Sequence, residues 1–290
     1  MQTYDIDLPG LGRTRYGAAG SGPPVVLLHG LGATHVIWRP NAGPLAEQYA
    51  VYAPDFPGHG GSRTPGVRYS LAAGVRFVVT FMDALGLRRA VLVGSSMGGL
   101  VALAVAARHP EMVAGLALAS PAGLGRDVSL AMRLAALPVA GPLLARLAPS
   151  TGEGFLPSLF YRPEAIDPHM VAEINAMASA PGIQDTALAV LRSSVGLGGL
   201  RRDVVQLQAL KQATCPVLIV WGKEDRILPV THAFRAQAAQ PLAEVHVLPE
   251  CGHLPNVEKA QEFNQMVLEF AGRVCGAAGD ATARSRHGAT

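Results

Sequence analysis

Six short apolar runs, rich in β-branched residues, recur along the chain: Val25-Val26-Leu27-Leu28, Ala50–Pro54, Ala90-Val91-Leu92-Val93, Val113–Ala119, Val217-Leu218-Ile219-Val220 and 245–248. The first five are continuous rather than alternating, which suits strands covered on both faces. Helical patterns lie between them. Residues 71–85 follow Ser70, a good N-cap, and stop at Gly86. Met97–Arg108 stops before His109-Pro110, where the proline ring blocks continuation. Asn256 can cap a last helix over 257–274, in which Val257, Phe263, Met266, Val267 and Phe270 fall at helical spacing. Strands alternating with helices predict an α/β fold, with a mostly parallel sheet covered by helices on both faces.

The alternation fails between about Gly123 and Val205. There Pro138, Pro142, Pro149, Pro157, Pro163, Pro168 and Pro181 divide Leu/Ala-rich helical pieces, and no strand-like run of the earlier kind occurs. An inserted helical cap between two halves of a sheet is the natural reading. It divides the chain into a core of 1–122 and 206–275 and a cap, or lid, at 123–205. Residues 276–290 are small and polar, with no apolar face to bury, and are expected to form a disordered tail.

Only 16% of the 290 residues are charged, against roughly 25% in ordinary soluble domains, and the mean hydropathy is +0.26. Such a balance raises the question of a membrane. Residues 94–107 and 113–119 are far shorter than the roughly 20 apolar residues of a spanning helix. Residues 128–149 are long enough, but Arg133, Pro138, Gly141, Pro142 and Arg146 interrupt them. Asp5, Asp7 and Pro9 leave the first ten residues without the apolar core of a signal peptide. No membrane span is expected, although 128–149 could lie on a membrane surface as in a lipase. The net charge of +3 comes from dispersed residues, Arg88-Arg89 and Arg201-Arg202 being the longest clusters, so no nucleic-acid partner is expected. Cys215, Cys251 and Cys275 have neither a disulfide framework nor metal-ligand spacing, so no metal is expected and a reducing, cytoplasmic location is the simplest inference.

Chemistry concentrates in Val91-Leu92-Val93-Gly94-Ser95-Ser96-Met97-Gly98-Gly99, which reads as strand, Gly-x-Ser-x-Gly, helix. The five-residue pattern arises by chance in Gly/Ser-rich loops, but here the required context stands on both sides. A serine on so sharp a turn is held in a strained conformation, and register makes Ser96 the nucleophile. The helix that follows points its N-terminus at developing negative charge.

Such a serine needs a base and an acid, in the chain order Ser, Asp/Glu, His. His29, His35, His59, His109 and His169 precede any acid placed after the cap. His232 lies in a helical pattern, His246 alternates within a strand and His287 is in the tail. His253 alone sits in a loop directly after a strand. The strand at 217–221 ends in Gly222-Lys223-Glu224-Asp225-Arg226, which offers Asp225 as the acid, with Glu224 as runner-up. His29-Gly30-Leu31-Gly32 follows the first buried strand. Its turn can aim a backbone N–H at the oxyanion, the donors being the amides of Leu31 and Met97, with His29, Gly30 and Gly32 ordering the turn. It lacks the Gly-Lys-Ser/Thr ending of a phosphate loop and the Gly-x-Gly-x-x-Gly of a dinucleotide site.

With these pieces, Asp55-Phe56-Pro57-Gly58-His59-Gly60-Gly61-Ser62, the 221–229 segment and Cys251-Gly252-His253, the chain resembles the cap-bearing branch of the α/β-hydrolase fold superfamily from about residue 25 to 270. The resemblance implies an eight-stranded sheet, a lid between strands six and seven, and no cofactor. Ser96-Met97-Gly98-Gly99, Pro121-Ala122-Gly123-Leu124-Gly125 and Glu262-Phe263-Asn264 look like the carbon–carbon bond hydrolases of aromatic-ring degradation, with Arg192 as the match to their substrate-carboxylate arginine. The chain departs from that group at Ser95, where those enzymes usually carry Asn, and at Leu254, where they carry Trp. The expected function is a serine hydrolase cleaving a small, largely apolar ester or related acyl substrate. A carbon–carbon bond hydrolase using the same residues is the alternative, and a non-catalytic ligand receptor on the same fold is a third. Assembly into a homo-oligomer is left open.

Overall fold

A computed structural model describes residues 1–63, 68–138, 156–180 and 182–287. Part of the expected cap, the second half of the 128–149 stretch and the last three residues of the expected tail lie outside the described residues.

Eight strands form one sheet: β1 (Gln2–Leu8), β2 (Gly12–Ala19), β3 (Pro24–Leu28), β4 (Ala50–Pro54), β5 (Ala90–Ser95), β6 (Val113–Ala119), β9 (Val217–Gly222) and β10 (Glu244–Leu248), in the order β1-β2-β4-β3-β5-β6-β9-β10. Two further strands of two residues each, β7 (Val195–Gly196) and β8 (Gly199–Leu200), pair with one another between β6 and β9. The six strands expected from sequence are parallel neighbours, in the register Val25↔Val91, Leu92↔Leu116 and Ala119↔Val220. The first two strands are antiparallel additions at one edge, Tyr4 facing Tyr16 and Tyr16 facing Pro54. Residues of β1 are mostly exposed on both faces, so the continuous apolar signal of the central strands is missing there. The alternation Tyr4, Ile6, Leu8 was the available clue.

The helices are α1 (Arg39–Ala46), α2 (Leu71–Ala84), α3 (Met97–Arg108), α4 (Leu130–Ala135), α5 (Leu156–Leu159), α6 (Pro168–Ser179), α7 (Ile183–Ser194), α8 (Leu207–Lys211), α9 (Thr231–Ala239), α10 (Pro255–Glu258) and α11 (Ala260–His287). The Ser70 hydroxyl accepts the Ala73 amide to start α2. At its end the Leu87 amide reaches Met82 O and the Gly86 amide reaches Asp83 O, with Gly86 at φ +68°. That is a Schellman closure, whose left-handed residue suits glycine. α3 is buried from Gly98 to Ala106, between the sheet on one side and α2 and α8 on the other. On the opposite face Phe270 of α11 packs so closely on β6 that a Cβ on Gly115 would lie 3.1 Å from its ring.

Two expectations at the C-terminus are corrected. Asn256 caps nothing. The short α10 begins one residue earlier, with Pro255 in its first turn, and Asn256 is buried inside it, its carbonyl accepting the Asn41 side-chain amide at 2.8 Å. The chain then breaks at Lys259 before α11 starts. In place of a disordered tail, α11 runs on to His287. Alanines at 277, 278, 281 and 283 give that stretch a helix propensity its lack of an apolar face does not cancel.

Ser96, Asp225, His253, His29 and Asp55 follow β5, β9, β10, β3 and β4. The sheet therefore brings every candidate functional side chain to the carboxyl ends of its parallel strands, where open α/β sheets bind ligands.

Candidate active site

The turn from β5 into α3 is made possible by absent side chains. A Cβ on Gly98 would lie 2.0 Å from Leu28 O, and one on Gly94 would lie 2.6 Å from Gly98 O. Ser96 between them adopts φ 52°, ψ −113°, a conformation that non-glycine residues hold only when the surroundings enforce it. The enforcement is visible: its amide donates to Ala119 O at 3.0 Å, and its carbonyl accepts the amides of Leu100 at 3.1 Å and Ala122 at 3.0 Å.

His253 Nε2 lies 3.0 Å from Ser96 Oγ, and its Nδ1 lies 2.8 Å from Asp225 Oδ2. Asp225 is fixed through its second oxygen, which accepts the amides of Ile227 at 2.8 Å and Leu228 at 2.9 Å. A proton on Nδ1 donates to the carboxylate and leaves Nε2 as acceptor for the serine hydroxyl. Glu224 takes another place: its Oε2 accepts the Cys251 amide at 3.1 Å. The next two amides of this loop are also anchored, Gly252 N on Glu258 Oε2 at 2.6 Å and His253 N on Leu159 O at 2.6 Å. Burial, with the Glu258 charge beside it, pushes the Cys251 thiol well above its usual range, so it stands protonated and inert. His232, one of the other histidines weighed from sequence, is buried edge-on to Trp221, 3.5 Å from Asp127.

The 29–32 turn lies directly beside the serine: a Cβ on Gly30 would lie 3.3 Å from Ser96 Cβ. His29 is fully buried, its Nδ1 2.7 Å from Gly30 O and its Nε2 accepting the Phe56 amide at 2.9 Å. Burial, helped by the neighbouring His59, drives its pKa down to about 3, so the ring stays neutral and cannot act as a proton donor near neutrality. His59 Nε2 accepts the Gly32 amide at 3.2 Å, which ties the 55–62 loop to the 29–32 turn. Burial lowers the His59 pKa as well. Asp55 organises that second loop, accepting His35 N at 2.7 Å and His35 Nδ1 at 2.8 Å on one oxygen and Gly61 N at 3.0 Å on the other. Burial alone would raise its carboxyl pKa, but the His35 hydrogen bond and the surrounding histidines outweigh it and hold it low. Sequence reasoning gave no role to His35, Asp55, His59 or Glu258. The dense Asp-Phe-Pro-Gly-His-Gly-Gly-Ser run at 55–62 was the signal for two of them.

An apolar cavity lies against Met97, walled by Phe56, Tyr69, Leu100 and Val101 of the core and by Val190 of α7. α7 meets the core through Tyr69 Oη and Thr186 Oγ1, 3.2 Å apart. Arg192, in its last turn, reaches Pro138 O at 3.3 Å. Among the described residues no three His, Cys, Asp or Glu side chains cluster as a metal site, and no helix is long and apolar enough to cross a membrane.

The chain is 32% identical over 273 residues to a 2-hydroxymuconate semialdehyde hydrolase of Pseudomonas putida, covering 89% of this chain and 90% of that one. It is 34% identical over 267 residues to the dihydrolipoyllysine-residue acetyltransferase component of the acetoin cleaving system of Cupriavidus necator, covering 92% and 68%. Among solved structures, a meta-cleavage product hydrolase from Pseudomonas fluorescens IP01 superposes with a TM-score of 0.77 at 26% identity, over 93% of this chain and 97% of that one. The model of the Alpha/beta hydrolase family matches residues 25–266. With the elbow at Ser96 and the eight-stranded sheet beneath it, this chain belongs to the alpha/beta hydrolase family.

Proposed function

We propose that the chain is a serine hydrolase that cleaves a small, largely apolar ester or related acyl substrate through Ser96, His253 and Asp225. The hydrogen-bonded line from Ser96 Oγ through His253 to Asp225, at 3.0 and 2.8 Å, carries this reading. His253 takes the serine proton as Oγ attacks the carbonyl. Asp225 holds the tautomer and stabilises the imidazolium without taking the proton itself. The amides of Leu31 and Met97 receive the oxyanion, Gly30, Gly32 and His29 ordering the first of them. The leaving group departs with the proton from His253, and water then releases the acyl group by the same steps in reverse. The helices between β6 and β9 act as a lid, 123–205, over a core of 1–122 and 206–275. Val190 on the cavity wall supports an apolar acyl or aryl pocket beneath it. Cys215, Cys251 and Cys275 are all unpaired, which supports a reducing, cytoplasmic location.

A second reading, hydrolysis of a carbon–carbon bond in an aromatic ring-cleavage product, is favoured by the 32% identity to the semialdehyde hydrolase. Both use the same three side chains. Purified protein is offered a short p-nitrophenyl ester and a yellow ring-cleavage dienoate, alongside Ser96→Ala. Ester hydrolysis that Ser96→Ala abolishes supports the proposal. Turnover of the dienoate alone replaces it with the second reading, and no turnover of any acyl substrate overturns both.

A further inference from the structure

The carboxylate of Glu258, at the end of α10, collects backbone amides from two distant parts of the chain. Oε1 accepts Tyr161 N at 2.8 Å and Arg162 N at 2.9 Å, while Oε2 accepts Gly252 N at 2.6 Å. The first two amides belong to the insertion between β6 and β9, just after α5, and the third to the residue before His253. The two segments are in close contact as well as bridged. His253 N donates to Leu159 O at 2.6 Å, and a Cβ on Gly252 would lie 2.5 Å from the same oxygen. Phe160 beside it is buried. Arg162 adds an ion pair with Glu250 at 2.6 Å.

We infer that Glu258 is a positioning residue that couples the 159–162 segment to the His253 loop, so that His253 stands over Ser96 only while that segment is docked. The inference rests on the reading of His253 as the base. Glu258 itself acts through the loop. Two backbone segments that each need N–H acceptors share one group that accepts on both oxygens and donates on neither. If the 159–162 segment lifts away, Leu159 O leaves the His253 amide and half of the Glu258 bridge opens. Opening the insertion would then also loosen the base, which ties turnover to the closed state.

Glu258→Gln tests this, because it keeps the shape but turns one oxygen into a donor. Whichever way the amide sits, an N–H now faces either Gly252 N or the Tyr161 and Arg162 amides, and one side of the bridge is lost. Acylation by a short p-nitrophenyl ester should slow about 10- to 100-fold with KM within twofold of wild type, and the low-field Nδ1 proton of His253 should broaden or move in the NMR spectrum. Acylation within twofold of wild type, or an unmoved proton, overturns the role. Should the variant fail to fold, amide exchange in the wild-type protein decides. The Tyr161, Arg162, Gly252 and His253 amides should share one opening rate, and separate rates for the two segments overturn the coupling. Fluorophosphonate labelling of wild-type protein keeps the two readings apart: absence of label on Ser96 overturns the base assignment, and with it the role inferred for Glu258, whereas labelled Ser96 with an unaffected Glu258→Gln overturns the Glu258 role alone.

Discussion

Asp225 meets His253 through one carboxylate oxygen, at 2.8 Å, and spends the other on the amides of Ile227 and Leu228. The acid is thus fixed in rotation by its own loop before the imidazole arrives. Its neighbour Glu224 points to a different atom of the histidine loop, the Cys251 amide.

Asp225→Asn should therefore be far more damaging than Glu224→Gln. The asparagine oxygen stays with the two amides, its NH2 faces His253 Nδ1, and the ring must carry its proton on Nε2, where it cannot accept from Ser96. A fall in kcat/KM of about 10³- to 10⁴-fold is expected. Glu224→Gln keeps an acceptor for Cys251 N and should lose less than about tenfold. Ester kinetics on the two variants check the order, and the reverse order moves the acid by one residue.

His59→Ala should lower kcat by about 10-fold or more, because the Gly32 amide loses its acceptor and the 29–32 turn drifts from Ser96. The defect belongs in acylation. Stopped-flow bursts with a short p-nitrophenyl ester read it directly.

Stability should depend on pH through the buried histidines. His29 has a folded pKa of about 3 against 6.5 for the free side chain, so between those values the unfolded chain binds the extra proton. Its contribution is complete above pH 6.5 and declines as the pH falls toward 3, by up to about 1.4 kcal/mol per unit. Burial lowers His59 and His232 in the same direction. Urea melts at intervals between pH 7 and 4 should show this slope, reduced in His29→Gln.

Glycine substitutions should separate by what a methyl group would meet. Gly98→Ala places a carbon 2.0 Å from Leu28 O, a backbone atom with nowhere to move, and should cost soluble protein. Gly276→Ala, inside α11 with nothing within 4 Å, should raise stability by about 0.5–1 kcal/mol. Thermal midpoints distinguish the two.

Strands β3, β5, β6 and β9 were legible in sequence because they are buried on both faces and carry an unbroken apolar run. β10, at the far edge, was legible from Val245, Val247 and Leu248, although Glu244 and His246 between them are exposed. β1 and β2, at an exposed edge, show at most an alternation. Ser96, Asp225 and His253 could be picked out because each occupies a loop directly after a strand, and the fold brings all three into one hydrogen-bonded line. Their supports could not. Glu258 binds amides 97 and 96 residues earlier in the chain, and His59 holds a turn 27 residues before it. A backbone donor leaves no trace in residue type, so the residue that accepts from it reads as an ordinary polar side chain. The extension of α11 to His287 failed differently, because propensity can build a helix where no apolar face announces one.

The backbone angles at Ser96 imply that this protein would be sturdier without its chemistry. A side chain at φ 52°, ψ −113° carries about 1–3 kcal/mol of local cost, and glycine would carry little of it. Ser96→Gly should melt at a higher temperature than the wild type while losing turnover entirely. Stability alone would favour glycine at this turn, so the side chain that the proposed chemistry needs is the one the fold would do better without.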